Sequence, residues 1–477
     1  VTSAGFFVDE FFEGKYIAVN VSGENSYQGV LKTGTSKILP RIETVENTEL
    51  SEAEIQALLE ANRQKRASDL ISNEGFIPIS STEDFEAIFN SADHIFAAET
   101  QFEVELKSSE FSNSDNYVLI NDIDFENNNG SSGNGQFAGL FDGNGYTIRR
   151  LSTPLFKFLE NNSYIRNLII KDIEKINESS DSSGLIAYET LPSSDNVTIS
   201  NIEIENFDLK NVPNNHLQFG LLVGQSWTDN FVISGVSVNA TFSSIVLGVN
   251  DVVGGLIGKT INSSQNIIVK NSSVRLYLET DELPKSIGGF VGFSKSIESS
   301  NSTVIINADF DGINIRNFGG FIGDAFGSSL NKLQAVNSMS IINLDKVGSS
   351  YKTTGGFVGR EQGSEAFVVT NSITINNINP DTSERDFISG DDDSNITGVG
   401  IVYIPWDFDS NSKLNGDSSI LGTTNLSSSP SVISSYSDLG FSISSDGSLT
   451  WKLTEGETFP YLSWQEEPLP EQIINQP

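Results

Sequence analysis

The 477-residue chain has no cysteine, two histidines and one methionine. Without cysteine there is no disulfide framework, thiolate nucleophile or cysteine metal site. The only imidazoles are His94 and His216, and no His-Glu-x-x-His zinc motif is present. Lys and Arg total 28 against 63 Asp and Glu, a net charge of −35. That balance opposes nucleic acid and anionic membranes, repels acidic polysaccharide unless cations bridge it, and favours solubility. No apolar run approaches the roughly 20 residues of a membrane span, so no membrane insertion is expected. No long helical pattern occurs between residues 184 and 378. That excludes the helical repeats of similar period, ankyrin and tetratricopeptide.

What is present is a repeat. Six copies of glycine, one or two apolar residues and a small residue begin at Gly184, Gly220, Gly255, Gly289, Gly320 and Gly356. Their spacings are 36, 35, 34, 31 and 36 residues. A second signature runs in phase about 15 residues later, at Asn201, Gly235, Asn271, Asn301, Asn337 and Asn371, with Asn167 one step earlier. Its spacings are 34, 34, 36, 30, 36 and 34. Alternation follows each: Ile202 and Ile204, Val236 and Val238, Val274, Leu276 and Leu278, Val304 and Ile306, Ser340 and Ile342, Ile373 and Ile375. Period-two alternation reads as a strand with one buried face. A propeller blade needs four strands; about three strands per 35 residues predict one coil of a right-handed parallel β-helix, an all-β solenoid. The glycines then sit where coils turn or pack closely. The asparagines are expected to stack as a ladder, each bonding the next coil.

These residues resemble the GLUG-motif β-helices of large bacterial surface proteins. Tyr117 to Asp124 and Phe137 to Ile148 look like the opening of such a domain, and Ile79 to Phe85 like its helical lead-in. Trp451 and the run Glu455 to Trp464 look like its closing segment. The resemblance covers roughly residues 76–464; Gly184-Leu-Ile-Ala187 departs from it by lacking the final glycine. It implies adhesins and surface scaffolds. It also includes immunoglobulin-A-cleaving peptidases, whose zinc domain this chain lacks.

Four regions are expected: an N-terminal strand segment at 1–48, a helical lead-in and cap at 49–100, the β-helix at 101–385 and a cap and tail at 386–477. The aromatic run Phe6 to Phe12 and the alternating Lys15 to Val21 belong to the first. It packs on its own body or donates a strand to another subunit, one route to a filament. Ser51 to Glu54 is a capping box opening a helix to about Lys65, with Ile55, Leu58 and Leu59 as its apolar face. Ser81 caps a shorter helix to Asn90. Both helices are expected to cover the first coil, whose strand edges need capping. Asp142-Gly-Asn-Gly145 reads as a turn, and Asp122 and Asp124 as coil-corner residues. The period stops after Ile378. Asp391, Asp392, Asp393 and Asn395 offer oxygen ligands for calcium, with a solvated acidic loop as the other reading; no other cofactor is expected. Trp406, Trp451 and Trp464 are expected to plug the far end, followed by a proline-containing tail. Asn-x-Ser/Thr sequons stand at Asn20, Asn129, Asn161, Asn177, Asn196, Asn239, Asn262, Asn271, Asn301, Asn395 and Asn425, as expected by accident in an Asn- and Ser-rich chain.

The chain begins at Val1, which reads as a processed protein or a fragment. Its Asn, Ser, Thr and Gly content suits a secreted, cell-surface protein. The function expected is a non-catalytic extracellular scaffold, adhesive or structural, that self-associates into a filament or homo-oligomer. Its further partners would be a glycan or a surface receptor. No catalytic residue is singled out; Tyr351 and Trp227 read as packing residues rather than sugar platforms. The alternatives are a polysaccharide-active β-helix enzyme, needing paired carboxylates at defined separation, and a virion fibre protein.

Overall fold

The computed structural model describes residues 51–465 apart from 91, 108, 111, 127–134, 175–181, 193–194, 211–217, 244–250, 262–265, 280–284, 310–316, 326–332, 346–352, 362–366, 379–395, 406–422, 426–442, 448, 450 and 464. The segment 1–48 lies outside it.

The strands wind as a parallel β-helix. Three parallel sheets run along it, of 18, six and eight strands. One coil shows the plan: Gln218–Gly220 joins the six-stranded sheet, Val223–Ser226 the eight-stranded one, and Asn230–Ser234 with Ser237–Ser243 the long one. In the long sheet Ser163 pairs Val197, Val197 pairs Phe231 and Phe231 pairs Ile267. Further on, Ile268 pairs Glu298, Ile297 pairs Leu333 and Leu333 pairs Phe367. These offsets are 34, 34, 36, 30, 36 and 34, the asparagine spacings. The repeat is therefore the coil itself, each strand lying about 4.8 Å from its copy in the next coil.

The winding continues where the sequence signature ends. Phe367 pairs Ile396 and Ile401 pairs Thr423, so strands at 396–405 and 423–425 extend the long sheet past Ile378. Gly400, between Val399 and Ile401, stands opposite Asn371. The coil kept its strand and lost its asparagine, so the period disappeared from view.

The glycine column differs from the expected one by one residue. Gly220 pairs Gly254, which pairs Gly288, then Gly319, then Gly355. Gly255, Gly289 and Gly320 form a second column beside it. Packing across the coil sets both. A Cβ on Gly254 would meet the Ile257 carbonyl oxygen at 1.8 Å; one on Gly289 would meet Val304 Cγ1 at 2.1 Å. Next to them an apolar column, Leu222, Leu256, Phe290, Phe321 and Phe357, is tied coil to coil by backbone bonds. The Phe290–Phe321 and Phe321–Phe357 ring centroids are 4.7 and 4.8 Å apart, close to the strand spacing.

The last alternating run also shifts. Ile373 pairs Met339 and Ile375 pairs Ile341, whereas the inward Ser340 pairs Thr374. Ile305, Met339, Ile341 and Ile373 are fully buried yet stand apart from the interior core of Val304, Ile306, Ile342 and Leu344. Towards the C-terminus the outer face becomes apolar as well, while Ile306, Ile342 and Leu344 keep the inner face apolar. Alternation identifies a strand but not which face is inside.

Helix α1 spans Glu52–Glu74, nine residues beyond the expected end, and stops at Gly75 in the left-handed region at φ 72°. Its capping box forms as expected. The predicted face does not: Ile55 and Leu58 are 40% and 53% exposed, and Leu59 is half-buried. Ala67 and Leu70 pack instead on Val118 and Ile120. The alternate side chains of that strand, Tyr117 and Leu119, belong to the interior core, so α1 lies on the outer face of the first coil. Helix α2, Thr82–Ala87 with Ser81 as its cap, stops three residues before Asn90. It drives Phe85 into the interior, 5.7 to 5.8 Å from the rings of Phe125, Phe141 and Phe156. Trp451 is fully buried and pairs Leu462 in a three-stranded sheet; Trp406 and Trp464 lie outside the described residues.

Candidate functional site

The asparagine ladder forms. Asn167, Asn201, Asn271, Asn301, Asn337 and Asn371 all adopt left-handed backbone, with φ between 46° and 55°. Asparagine tolerates that region because its short amide can bond locally. Asn271, Asn301 and Asn337 turn the chain between two strands of the long sheet, Asn167, Asn201 and Asn371 bend one continuous strand of it, and the amides bond along the axis. Nδ2 of Asn201 donates to Oδ1 of Asn167 at 3.2 Å. Asn301 donates to Asn271 at 3.3 Å, and Asn337 to Asn301 at 3.2 Å. Gly235 keeps the conformation at φ 64° without the amide, and a Cβ there would meet Asn201 Oδ1 at 2.6 Å.

A second column went unread. Ser272, Ser302, Ser338 and Ser372 each follow a ladder asparagine and are fully buried. Each hydroxyl donates to the carbonyl two residues back, at 2.8 to 2.9 Å. Three accept a backbone N–H from the preceding coil: Ser272 from Val236, Ser302 from Ser272 and Ser372 from Ser338. The signal was the recurrent Asn-Ser dipeptide. It places the sequons of Asn271 and Asn301 inside the coil joint.

Asp142 is more than a turn residue. Its side chain is fully buried and carries two arginines, Arg66 of α1 at 2.5 Å and Arg166 at 2.8 Å. Its Oδ1 accepts the Asn144 backbone N–H at 2.8 Å, with Asn144 and Gly145 in the left-handed region as the turn requires. The same oxygen accepts Asn167 Nδ2 at 3.1 Å. Burial pulls the Arg66 guanidinium below its usual range, against the opposing pull of Asp142. Of the other two aspartates, Asp122 accepts the Thr147 N–H at 2.8 Å. Asp124 is gripped by Arg150 at 2.7 and 2.5 Å, and those bonds hold its carboxyl below its usual range. Both serve coil corners.

Three constellations could suggest catalysis. His94 Nε2 lies 2.8 Å from Asp84 Oδ1, while Ser80 Oγ donates to Asp84 Oδ2 at 2.8 Å. Here the carboxylate bridges the other two groups; a catalytic triad needs the imidazole between hydroxyl and carboxylate. Asp324 is fully buried under Arg360, whose Nε donates at 3.0 Å, and Asn317, which donates at 3.2 Å. On the outer face of the long sheet, burial against the sheet and then the hydrogen bond that protonated Glu203 donates to Glu205 raise the Glu203 carboxyl to about 7. Lys171 pairs with Glu205. Glycosidase carboxyls stand about 5 Å or more apart to admit the sugar, and these two are in hydrogen-bond contact.

Among the described residues no group of three His, Cys, Asp or Glu could hold a metal. Asp391, Asp392, Asp393, Asn395, Tyr351 and His216 lie outside them. Trp227 is half-buried, its backbone N–H donating to Thr190 Oγ1 at 2.8 Å. No described helix is long and apolar enough to cross a membrane. Comparison of the chain with protein-family models, curated proteins and solved structures finds no match.

Proposed function

We propose that this chain is a non-catalytic extracellular scaffold, an adhesive or structural β-helix of the cell surface. The observation that carries the reading is where its polar side chains are spent. The amides of Asn201, Asn301 and Asn337, the hydroxyls of Ser272, Ser302 and Ser372, and the buried carboxylates of Asp142 and Asp324 all join one coil to another. A reaction centre leaves such groups converging on a substrate space; a rod uses them along its axis. The resemblance to GLUG-motif surface proteins supports the same reading, and so does the acidic, cysteine-free composition.

The test is incubation of the whole chain with a panel of plant, bacterial and host polysaccharides. No release of reducing or unsaturated sugar is expected, and release from any of them overturns the non-catalytic reading. The filament form of the proposal rests on the aromatic and alternating sequence of segment 1–48. Negative-stain microscopy should then show polymers that vanish when residues 1–40 are deleted, and a chain that stays monomeric at high concentration overturns that form.

A further inference from the structure

The chain carries 35 more acidic than basic residues, yet two of its lysines converge on one aromatic ring rather than on a carboxylate. In the eight-stranded sheet, Gln225, Lys259, Phe293, Asp324 and Arg360 stand in register on successive coils. Lys259 Nζ lies 5.7 Å from the centroid of the half-buried Phe293 ring, and Lys285 Nζ lies 6.0 Å from the same ring. Among the described residues neither ammonium has a carboxylate within ion-pair distance. Of the carboxylates in that column, Asp324 is committed to Arg360 and Asn317, and Glu189, two coils from Lys259 on the other side, accepts Ser182 Oγ at 2.8 Å. Burial, and then the positive charge of Lys285, lower the pKa of Lys259, so the two cations repel.

We propose that Lys259, Phe293 and Lys285 form a subsite for an acidic saccharide. A carboxylate or sulfate sits between the two ammonium groups, and the sugar's C–H face lies on the phenyl ring. A phenyl ring bordered by cations suits a ligand that carries an apolar face and an anion on one rigid unit, which an acidic sugar does and an extended acidic peptide does not. The site deepens the scaffold reading in that it binds and does not cleave. The overall negative field opposes approach, so binding is best sought at about 0.15 M salt, where the screening length is about 8 Å.

The experiment is calorimetric titration of the full chain with polygalacturonate oligomers, sulfated dextran oligomers, neutral dextran oligomers and poly-glutamate, followed by sizing of the saccharide. Both acidic saccharides should bind, neutral dextran should not, and poly-glutamate should bind at least tenfold more weakly. The double variant Lys259→Gln/Lys285→Gln should lose at least tenfold in affinity with an unchanged melting temperature. Phe293→Leu, which keeps the apolar volume and removes the ring, should weaken binding several-fold. Failure of the native chain to bind either acidic saccharide overturns the site, as does equal binding by the double variant. Equal binding of poly-glutamate overturns the saccharide assignment. Binding with shortened saccharide leaves the site standing and overturns the non-catalytic reading.

Discussion

Asn167 Nδ2 donates to Asp142 Oδ1 at 3.1 Å, so the amide column ends on a buried carboxylate rather than on water. An amide column offers an unpaired acceptor at one end and an unpaired donor at the other. Asp142 takes the donor end and pairs it with two arginines, one of them from α1. The helix that covers the first coil and the column that joins the coils meet at one side chain.

Asp142→Asn keeps the shape and removes the charge. Arg66 and Arg166 then lose their buried partner, a change worth about 3–5 kcal/mol. The variant should melt at lower temperature, and hydrogen exchange in α1 should rise before that of the coils. Equal protection of α1 in both proteins would contradict the assignment.

Asn301 sits in mid-column with one amide bond to each side. Asn301→Ala loses both and forces alanine into the left-handed region, at a cost of about 2–4 kcal/mol. Asn239, exposed on its strand, is the control; Asn239→Ala should change stability by less than about 0.5 kcal/mol. Denaturant midpoints of the two variants decide this.

Gly235 breaks the column. Gly235→Ala brings a Cβ against Asn201 at φ 64° and should cost about 1–2 kcal/mol. Gly235→Asn, with an amide able to donate to Asn201, should be the more stable of the two. The reverse order in thermal melting would refute a role for the column in stability.

The raised carboxyl of Glu203 has a definite sign. Its folded pKa, about 7, exceeds the ordinary value of 4.5, so the folded state binds the extra proton. This contribution is fully present below pH 4.5 and is lost as pH rises to 7. Against Glu203→Gln, the native chain should lose relative stability across that window in a pH series of melting temperatures. Because Glu203 lies on the surface, water reduces the effect.

When the chain is secreted from a glycosylating host, Asn271 and Asn301 should carry no glycan once folded. Their amides or their following serines are tied into the coil joint. Peptide mapping by mass spectrometry checks this, with the exposed Asn239 as the comparison site.

The sequence alone determined the winding. A coil repeats its own contacts, so the period of Asn167, Asn201, Asn271, Asn301, Asn337 and Asn371 is the strand register itself. A corner in the left-handed region selects asparagine or glycine wherever it recurs. Tertiary structure decided what lies between coils and across them. Gly254 rather than Gly255 aligns with Gly220 because strand pairing sets the column, and a one-residue choice is invisible when two glycines are adjacent. Ile373 faces outward because it pairs in register with Met339, whose column lies outside the interior core. Ala67 and Leu70, not Ile55 and Leu58, became the buried face of α1 because Val118 and Ile120 lie under the second half of the helix. Asp142 became the terminus of a ladder only when folding brought residues 66, 142, 166 and 167 together. A periodic pattern encodes neighbours one coil apart, and contacts with no fixed sequence separation leave no period to read.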